Sequence, residues 1–184
     1  TFMEAMGQNG IPTVMIVDKA GKLAWVGHPA GGMDDALKQI MAGTFDLSAA
    51  REQHQNEVRR TSKAASIQGD FRAAMKEKDW ATAIRAMDEL LKLDPEKYET
   101  AAFTKYRVLL VEMGDKKAAG AWGRQMLEGS MGRSPGLMNQ LAWFICDDKK
   151  LNDADRDAEL ALAAAQKANE VTGDKDPAIL DTLA

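Results

Sequence analysis

The sequence predicts a mainly α-helical chain in which a short β-hairpin near the N-terminus precedes an array of helical hairpins. Three observations predict this fold class. Two short strand-like runs lie before residue 28, and no strand pattern follows them. Glycine and proline are sparse after about residue 46, where the better helix formers Ala, Met, Leu, Lys and Glu dominate. Aromatic residues are 6 % of the chain, fewer than a typical all-β sandwich contains.

The N-terminal segment predicts a helix, a hairpin and a second helix. Residues 1–6 are typical of the end of a helix. The apolar run 14–17 is rich in β-branched residues and predicts a buried strand. Residues 18–21, with Asp first and Gly last, predict a type I turn into a return strand over 22–27. Residues 34–42 then predict a helix. The apolar residues on one side of that helix are Met33, Leu37, Ile40 and Met41.

The segment after this helix predicts a polar connection and then helical pairs. Ala50, Val58 and Ala65 form only a thin apolar stripe, which is typical of a solvent-exposed helix. We therefore divide the chain into an N-terminal unit over 1–46, a connecting helix over 47–66 and a helical region over 67–184.

Beyond residue 66, apolar residues recur with a helical period in successive stretches that pair into hairpins. Asp79 is placed as the N-cap of one helix, and Ser134 with Pro135 opens another. A longer polar loop over 147–155 divides the third pair. The residues expected to be buried include Trp80, Met87, Phe103, Leu110, Trp122, Leu141 and Phe144. Further residues on the apolar stripes are Tyr106, Met113, Ala119, Met126, Ala158, Ala161, Leu162, Ala165 and Ala168.

Two stretches of this region resemble tetratricopeptide repeats. In residues 78–84 a turn precedes a helix whose small residue is Ala83, and a closing Leu-Asp-Pro follows at 93–95. Residues 114–119 repeat the turn and end in the small residue Ala119. The second repeat lacks the closing proline and the third carries an extra loop, so another kind of helical-hairpin array is the alternative.

The resemblance implies a concave surface that binds a peptide or a partner helix. Cationic side chains of the first two hairpins are candidates to line it, and a solvated face is the alternative interpretation. These candidates are Lys76, Lys78, Arg85, Lys92, Lys105 and Arg107.

The segment Gly10-Ile11-Pro12-Thr13, with the hairpin and helix that follow it, resembles the second half of a thioredoxin-like domain. The resemblance is to exported thiol–disulfide oxidoreductases in particular. The corresponding elements are a helix over 1–8, strands over 13–17 and 22–27, and a helix over 33–43. The alternative is a proline that merely starts a strand.

This resemblance implies a substrate-binding site formed by Ile11, Pro12, Thr13 and Gly27. In the family the proline is in cis and faces the dithiol, and the backbone of the residue before it pairs with an extended substrate. A cis peptide bond between Ile11 and Pro12 is therefore expected. Two further residues would lie on the rim of the groove: His28 and Pro29.

Composition argues against several other classes of function. The 24 basic and 28 acidic residues give a formal net charge of −4, which argues against a nucleic-acid partner. No run of about 18 apolar residues occurs, so no membrane span is expected. His28 and His54 are far apart, and we expect no metal and no cofactor. Three alternating aspartates resemble a calcium loop but lack its Gly and distal Glu. They are Asp153, Asp155 and Asp157.

The chain has one cysteine, Cys146, and therefore no Cys-x-x-Cys pair. We expect Cys146 to be buried beside Phe144 and Ile145 and to be unreactive. The family's dithiol lies in its first half, so we expect a redox-inactive fragment of a thiol–disulfide oxidoreductase with a helical-repeat extension. The alternative is a non-catalytic protein-binding adaptor with a redox-inactive thioredoxin-like module.

Two expectations concern location and assembly. The resemblance implies an exported or periplasmic protein, with the cytoplasm as the alternative. The sheet over 13–27 is expected to have a bare edge and an uncovered apolar face, which favour self-association.

Overall fold

The structure, a computed structural model, describes residues 12–183 and is mainly α-helical, as predicted. The predicted helix over 1–8, Ile11 and the Ile11–Pro12 peptide bond lie outside the described residues. Within the described range there are two strands and eight helices. They are β1 (Val14–Val17), β2 (Leu23–Gly27), α1 (Met33–Ala42), α2 (Leu47–Glu77), α3 (Trp80–Leu93), α4 (Glu99–Arg107), α5 (Lys116–Glu128), α6 (Pro135–Asp147), α7 (Ala158–Thr172) and α8 (Pro177–Leu183). The chain forms two compact units, which divide between Lys63 and Ala64.

The two strands of the N-terminal unit pair antiparallel, as predicted. The register places Val14 opposite Gly27 at the open end of the hairpin. An irregularity leaves Ala24 without a partner, so that Val17 lies opposite Leu23 near the turn. Both of these turn-end side chains are exposed, by 58 % and 40 %. The hairpin therefore carries an apolar cross-strand pair in solvent.

The predicted turn over residues 18–21 joins the strands. The amide of Gly21 donates to the carbonyl of Asp18 at 3.0 Å. The Asp18 carboxylate accepts from the amides of Ala20 and Lys22, each at 2.8 Å. Gly21 has φ +78°, a backbone conformation that glycine adopts without steric cost. The aspartate in the first position and the glycine in the last therefore both suit the geometry of this turn.

Helix α1 follows the hairpin and packs against β2. Its Ala36 is buried, whereas Met33 and Ile40 are half-buried. Leu37 and Met41, one turn apart on the predicted apolar stripe, are exposed. The predicted helix is confirmed, but half of its apolar stripe has no cover among the described residues.

Helix α2 is continuous over 31 residues, whereas the sequence predicted separate helices before and after residue 66. The polar stretch contains no Gly or Pro that would interrupt a helix. Its buried residues are Ala64, Ile67 and Ala74, all in the C-terminal half. Ala65, predicted to lie on the apolar stripe, is exposed.

The C-terminal unit has its core between successive helices. Ala64 and Ile67 of α2 pack with Ala86 and Leu90 of α3. A larger cluster joins α4, α5, α6, α7 and α8. The predicted core residues Met87, Leu110, Leu141 and Phe144 are buried. The predicted core residues Trp80, Phe103 and Trp122 are only half-buried, because these large rings lie at the edges of the clusters.

A π-helical turn over Val108–Glu112 prolongs α4. The amide of Met113 donates to the carbonyl of Val108, five residues earlier, at 3.0 Å. The wider turn shifts the phase of the apolar stripe. Leu109 is therefore buried, and Met113, which the sequence placed on the stripe, is 45 % exposed.

The buried face of α7 also differs from the predicted one. Ala161, Ala165 and Ala168 are buried as predicted. Ala158 and Leu162 are exposed, and Leu160, which the sequence analysis left out, is buried. The predicted stripe was one residue out of phase at the start of this alanine-rich helix.

Three helices begin in the same way. Asp79, Asp115 and Asp157 are the N-caps of α3, α5 and α7, with φ of −79°, −87° and −86° and ψ of 79°, 78° and 83°. Each carboxylate accepts from the amide three residues on, at 3.1, 2.9 and 3.0 Å. These capping bonds satisfy amides that the helix itself leaves unpaired.

The same small residue follows each of these caps by four positions. The three residues are Ala83, Ala119 and Ala161, with exposures of 0 %, 0 % and 3 %. Their amides each donate to the carbonyl of the capping aspartate at 2.9 Å. The third of these helix starts lies beyond the extra loop and was not recognised from the sequence.

Candidate functional site

The described residues of the predicted substrate-binding set lie at the open end of the hairpin. Thr13 directly precedes β1, and the register of Val14 with Gly27 brings the end of β2 beside it. Pro12 is exposed and Thr13 is half-buried. The hairpin therefore gathers Pro12, Thr13 and Gly27 at one end, while Ile11 is outside the described residues.

The Gly27 position is covered by an indole ring. A Cβ atom built at Gly27 would lie 2.9 Å from Cζ2 and 3.0 Å from Cη2 of Trp25. These residues are two apart in β2, so their side-chain positions share a face of the hairpin. Only a glycine leaves room for the ring in this position.

The proposed rim residues follow Gly27 directly. The amide of Gly31 donates to the carbonyl of His28 at 2.7 Å, and the Nδ1 atom of His28 accepts from the amide of Ala30 at 3.2 Å. This tight turn leaves His28 exposed and Pro29 half-buried. The geometry is compatible with the predicted rim and assigns no chemistry to the imidazole.

A groove of about 1070 Å³ lies within the N-terminal unit. Strand β2, helix α1 and the first half of α2 line it. Trp25, Gly27 and Phe45 contribute from the hairpin and the segment before α2, and His54 and Val58 contribute from α2. The groove is mainly apolar, and its volume is slightly above the range of about 300–1,000 Å³ that is usual for small-ligand sites.

Cys146 is exposed, so the prediction that it is buried is wrong. It lies two residues after Phe144 on α6, about 200° around the helix axis. Trp143, one turn earlier on the same outer face, is also exposed. Cys146 and Ile145 are neighbours in sequence but lie on different faces, and only Ile145 is buried.

The candidate cations of the helical region differ in their surroundings. The Lys105 side chain is 13 % exposed, and its Nζ atom lies 2.6 Å from Oδ1 of Asp88. The same Nζ atom is 3.8 Å from the centroid of the Trp122 ring. Lys105 thus joins α3, α4 and α5 internally and is not free to line a binding surface. The other five are exposed: Lys76, Lys78, Arg85, Lys92 and Arg107.

The three alternating aspartates are explained by ion pairs. Asp155 pairs with Lys116 at 2.5 Å, and hydrogen bonding to that ammonium holds the pKa of Asp155 below its usual range. Asp157 pairs with Arg124 at 2.9 Å. Asp153 lies 3.6 Å from Nε of the third cation, Arg156. No group of three metal-ligating side chains occurs among residues 12–183.

Arg156 has a structural role that the sequence pattern did not predict. Its guanidinium donates to the carbonyl of Ile145 at 2.5 Å and to those of Asp148 and Leu151 at 3.1 Å each. These carbonyls lie at and just beyond the end of α6, where helix geometry leaves acceptors unpaired. The sequence feature that could have indicated this role is an arginine within an unusually long turn between two apolar helices.

No protein-family model matches the chain, and no similar curated protein or solved structure was found. None of the helices described is long and apolar enough to cross a membrane.

Proposed function

We propose that the chain is the non-catalytic, protein-binding part of a thioredoxin-like thiol–disulfide oxidoreductase that carries a tetratricopeptide-like helical extension. The observation that carries the binding role is the repeated helix start at Asp79, Asp115 and Asp157, each followed four residues on by a buried alanine. Repetition of one helical unit supports a repeat array, and such arrays commonly present extended surfaces to protein partners.

The thioredoxin-like part of the proposal draws on the N-terminal unit. A hairpin followed by a helix, with Gly27 at the end of β2, is compatible with the wall of a substrate groove. By the resemblance, the backbone of Ile11 would pair with an extended substrate and Gly27 would line the same groove. The attacking thiolate would come from another segment or protein. By the same resemblance we propose an exported protein.

A complete cycle of disulfide reduction by the chain alone would require a second thiol. Attack of Cys146 on a substrate disulfide gives a mixed disulfide, and a resolving thiol must then release the reduced substrate. The chain has one cysteine. The exposed thiol can therefore form a mixed disulfide but cannot complete an intramolecular cycle.

The redox proposal is tested by insulin reduction with the purified chain and its Cys146→Ser variant. We expect no turnover with either protein, and a mixed disulfide with glutathione for the parent chain alone. Turnover by the chain that the Cys146→Ser change abolishes would overturn the assignment of a non-catalytic part.

The binding proposal is tested by selecting peptides from a displayed library against the complete chain. Amide chemical shifts of the labelled chain then locate each selected peptide. We expect perturbed residues in the helices of residues 64–183 for one group of peptides. If the chain is instead a redox-inactive adaptor, peptides should still perturb the helices of residues 64–183, but none should perturb Thr13 or Gly27. Failure to select any peptide that binds the helical residues would overturn the binding role.

A further inference from the structure

The surface between α4 and α6 carries an arginine on an aromatic base. The Cζ atom of Arg107 lies 5.6 Å from the centroid of the Phe144 ring. Phe103, one turn before Arg107 on α4, meets the same ring edge-on with centroids 5.4 Å apart. Tyr106 is also edge-on to Phe144, at 6.0 Å. The buried Phe144 ring is thus held by two rings of α4 and supports the guanidinium.

The charge of Arg107 has no carboxylate partner within the described residues. Arg107 is exposed and takes part in none of their ion pairs. Lys105, on the same helix, is the contrasting case, because Asp88 pairs with it. A guanidinium that lies over a ring keeps its hydrogen-bonding edge available.

A large apolar side chain lies next to the aromatic base in sequence. Trp143 directly precedes Phe144 on α6 and is 43 % exposed. Exposed tryptophan and arginine are the residue types that contribute most often to the centres of protein interfaces. Arg107 on α4 and Trp143 on α6 are thus a cation and an apolar ring exposed on neighbouring helices, with Trp143 about 100° around the α6 axis from Phe144.

We propose that this surface, formed by Phe103, Arg107, Trp143 and Phe144, docks a peptide segment in which an acidic side chain stands near an apolar one. The carboxylate would accept a two-pronged hydrogen bond from Arg107, and the apolar side chain would lie on Trp143. The inference rests on the proposed protein-binding function and adds to it the chemistry of the partner.

The test uses the complete chain and two fluorescein-labelled peptides, one alternating Glu and Leu and the other alternating Lys and Leu. We expect anisotropy to show that the Glu peptide binds more tightly. Arg107→Gln should weaken that binding by about tenfold or more, since a hydrogen-bonded charge pair is lost. Arg107→Lys should weaken the binding less, because lysine keeps the positive charge but lacks the two parallel donors of the guanidinium group.

Lys117→Gln is the matched control, because it removes an exposed cation of α5 that is not a candidate binding residue and leaves the aromatic surface intact. It should bind the Glu peptide as the parent does. Amide shifts should change at Phe103, Arg107 and Trp143. Equal affinity for both peptides, equal effects of the two glutamine variants, or shifts on another surface would overturn the inference. If the selected peptides bind elsewhere on the helices, this inference fails but the proposed protein-binding function does not.

Discussion

Gly123 occupies a position where α5 has no room for a side chain. A Cβ atom there would overlap a methyl group of Leu160 and lie 3.2 Å from Cε2 of Tyr106. Burial raises the pKa of Tyr106 above its usual range, and the Asp157 carboxylate adds to the rise. This phenol therefore stays neutral in a tightly packed environment.

We expect Gly123→Ala to destabilise the protein by about 1–3 kcal/mol, because overpacking displaces neighbours in a close-packed core. Urea unfolding measures the change. Gly69→Ala in α2 is the control, since nothing lies within 4 Å of the added Cβ atom. That variant should be as stable as the parent or gain up to about 1 kcal/mol from better helix propensity. Equal losses in the two variants would contradict the packing argument.

Lys78 and Gly114 occupy equivalent places before Asp79 and Asp115, with φ of +59° and +66°. A side chain costs about 1–2 kcal/mol in this left-handed region, and the greater freedom of glycine in the unfolded chain offsets part of that. Lys78→Gly should therefore raise stability by up to about 1 kcal/mol, and Gly114→Ala should lower it. The two free energies of unfolding must change in opposite directions.

Helix α3 begins at the N-cap residue Asp79, whose carboxyl group titrates. Hydrogen bonds from the Thr82 side chain and amide hold the pKa of Asp79 below its usual range, and the Arg85 guanidinium adds to this. A lowered folded pKa means that the charged cap stabilises the fold above the unfolded value, about 3.9. This contribution is lost as the pH falls through the lower folded value.

Asp79→Asn keeps a capping oxygen but cannot titrate. We expect the stability difference between the parent and this variant to be constant near neutral pH and to shrink below about pH 4. Urea unfolding at several pH values measures it. A difference that does not change across this range would show that the charge of Asp79 contributes nothing.

The loop between α6 and α7 depends on one guanidinium. Arg156→Gln should destabilise the protein by about 1.5–3 kcal/mol, because three carbonyls lose a charged donor. Amide hydrogen exchange should accelerate in residues 148–155. Lys149→Gln, an exposed change in the same loop, is the control. Unchanged exchange in the Arg156 variant would refute the structural role.

The sequence predicted the elements better than the faces they bury. The Asp-x-x-Gly turn and the N-caps Asp79 and Ser134 were predictable because local hydrogen bonds decide them. The exposure of Met113 was not predictable, because a fixed helical period does not reveal the π-helical turn that precedes it. Cys146 was misplaced because a helix that is apolar on two sides gives no sign of which side a partner covers.

For the candidate site, the sequence predicted which residues lie near one another but not how their side chains are arranged. Pro12, Thr13 and Gly27 lie at the same end of the hairpin because the turn and strand alternation fix its register. The position of the Trp25 indole over Gly27, and of the Arg107 guanidinium over the Phe144 ring, depends on packing that no sequence pattern encodes.

We expect the exposed pair Val17 and Leu23 to favour self-association of the protein. A two-stranded hairpin is marginal on its own, and its edges can pair with another chain. We expect the light-scattering mass to rise with protein concentration, and Val17→Lys to reduce that rise. Leu162→Lys, which changes an apolar residue of α7 that is 52 % exposed, is the control. A monomer at every concentration would contradict the expectation.

The common start of α3, α5 and α7 also bears on how the chain can vary through evolution. The capping aspartates are 36 and 42 residues apart, so the spacing changes while the Asp-x-x-x-Ala pattern persists. Loops and exposed faces can therefore change in length and sequence without altering how these helices begin. In any relatives of the chain, we expect the paired aspartate and alanine positions to vary less than the residues between them.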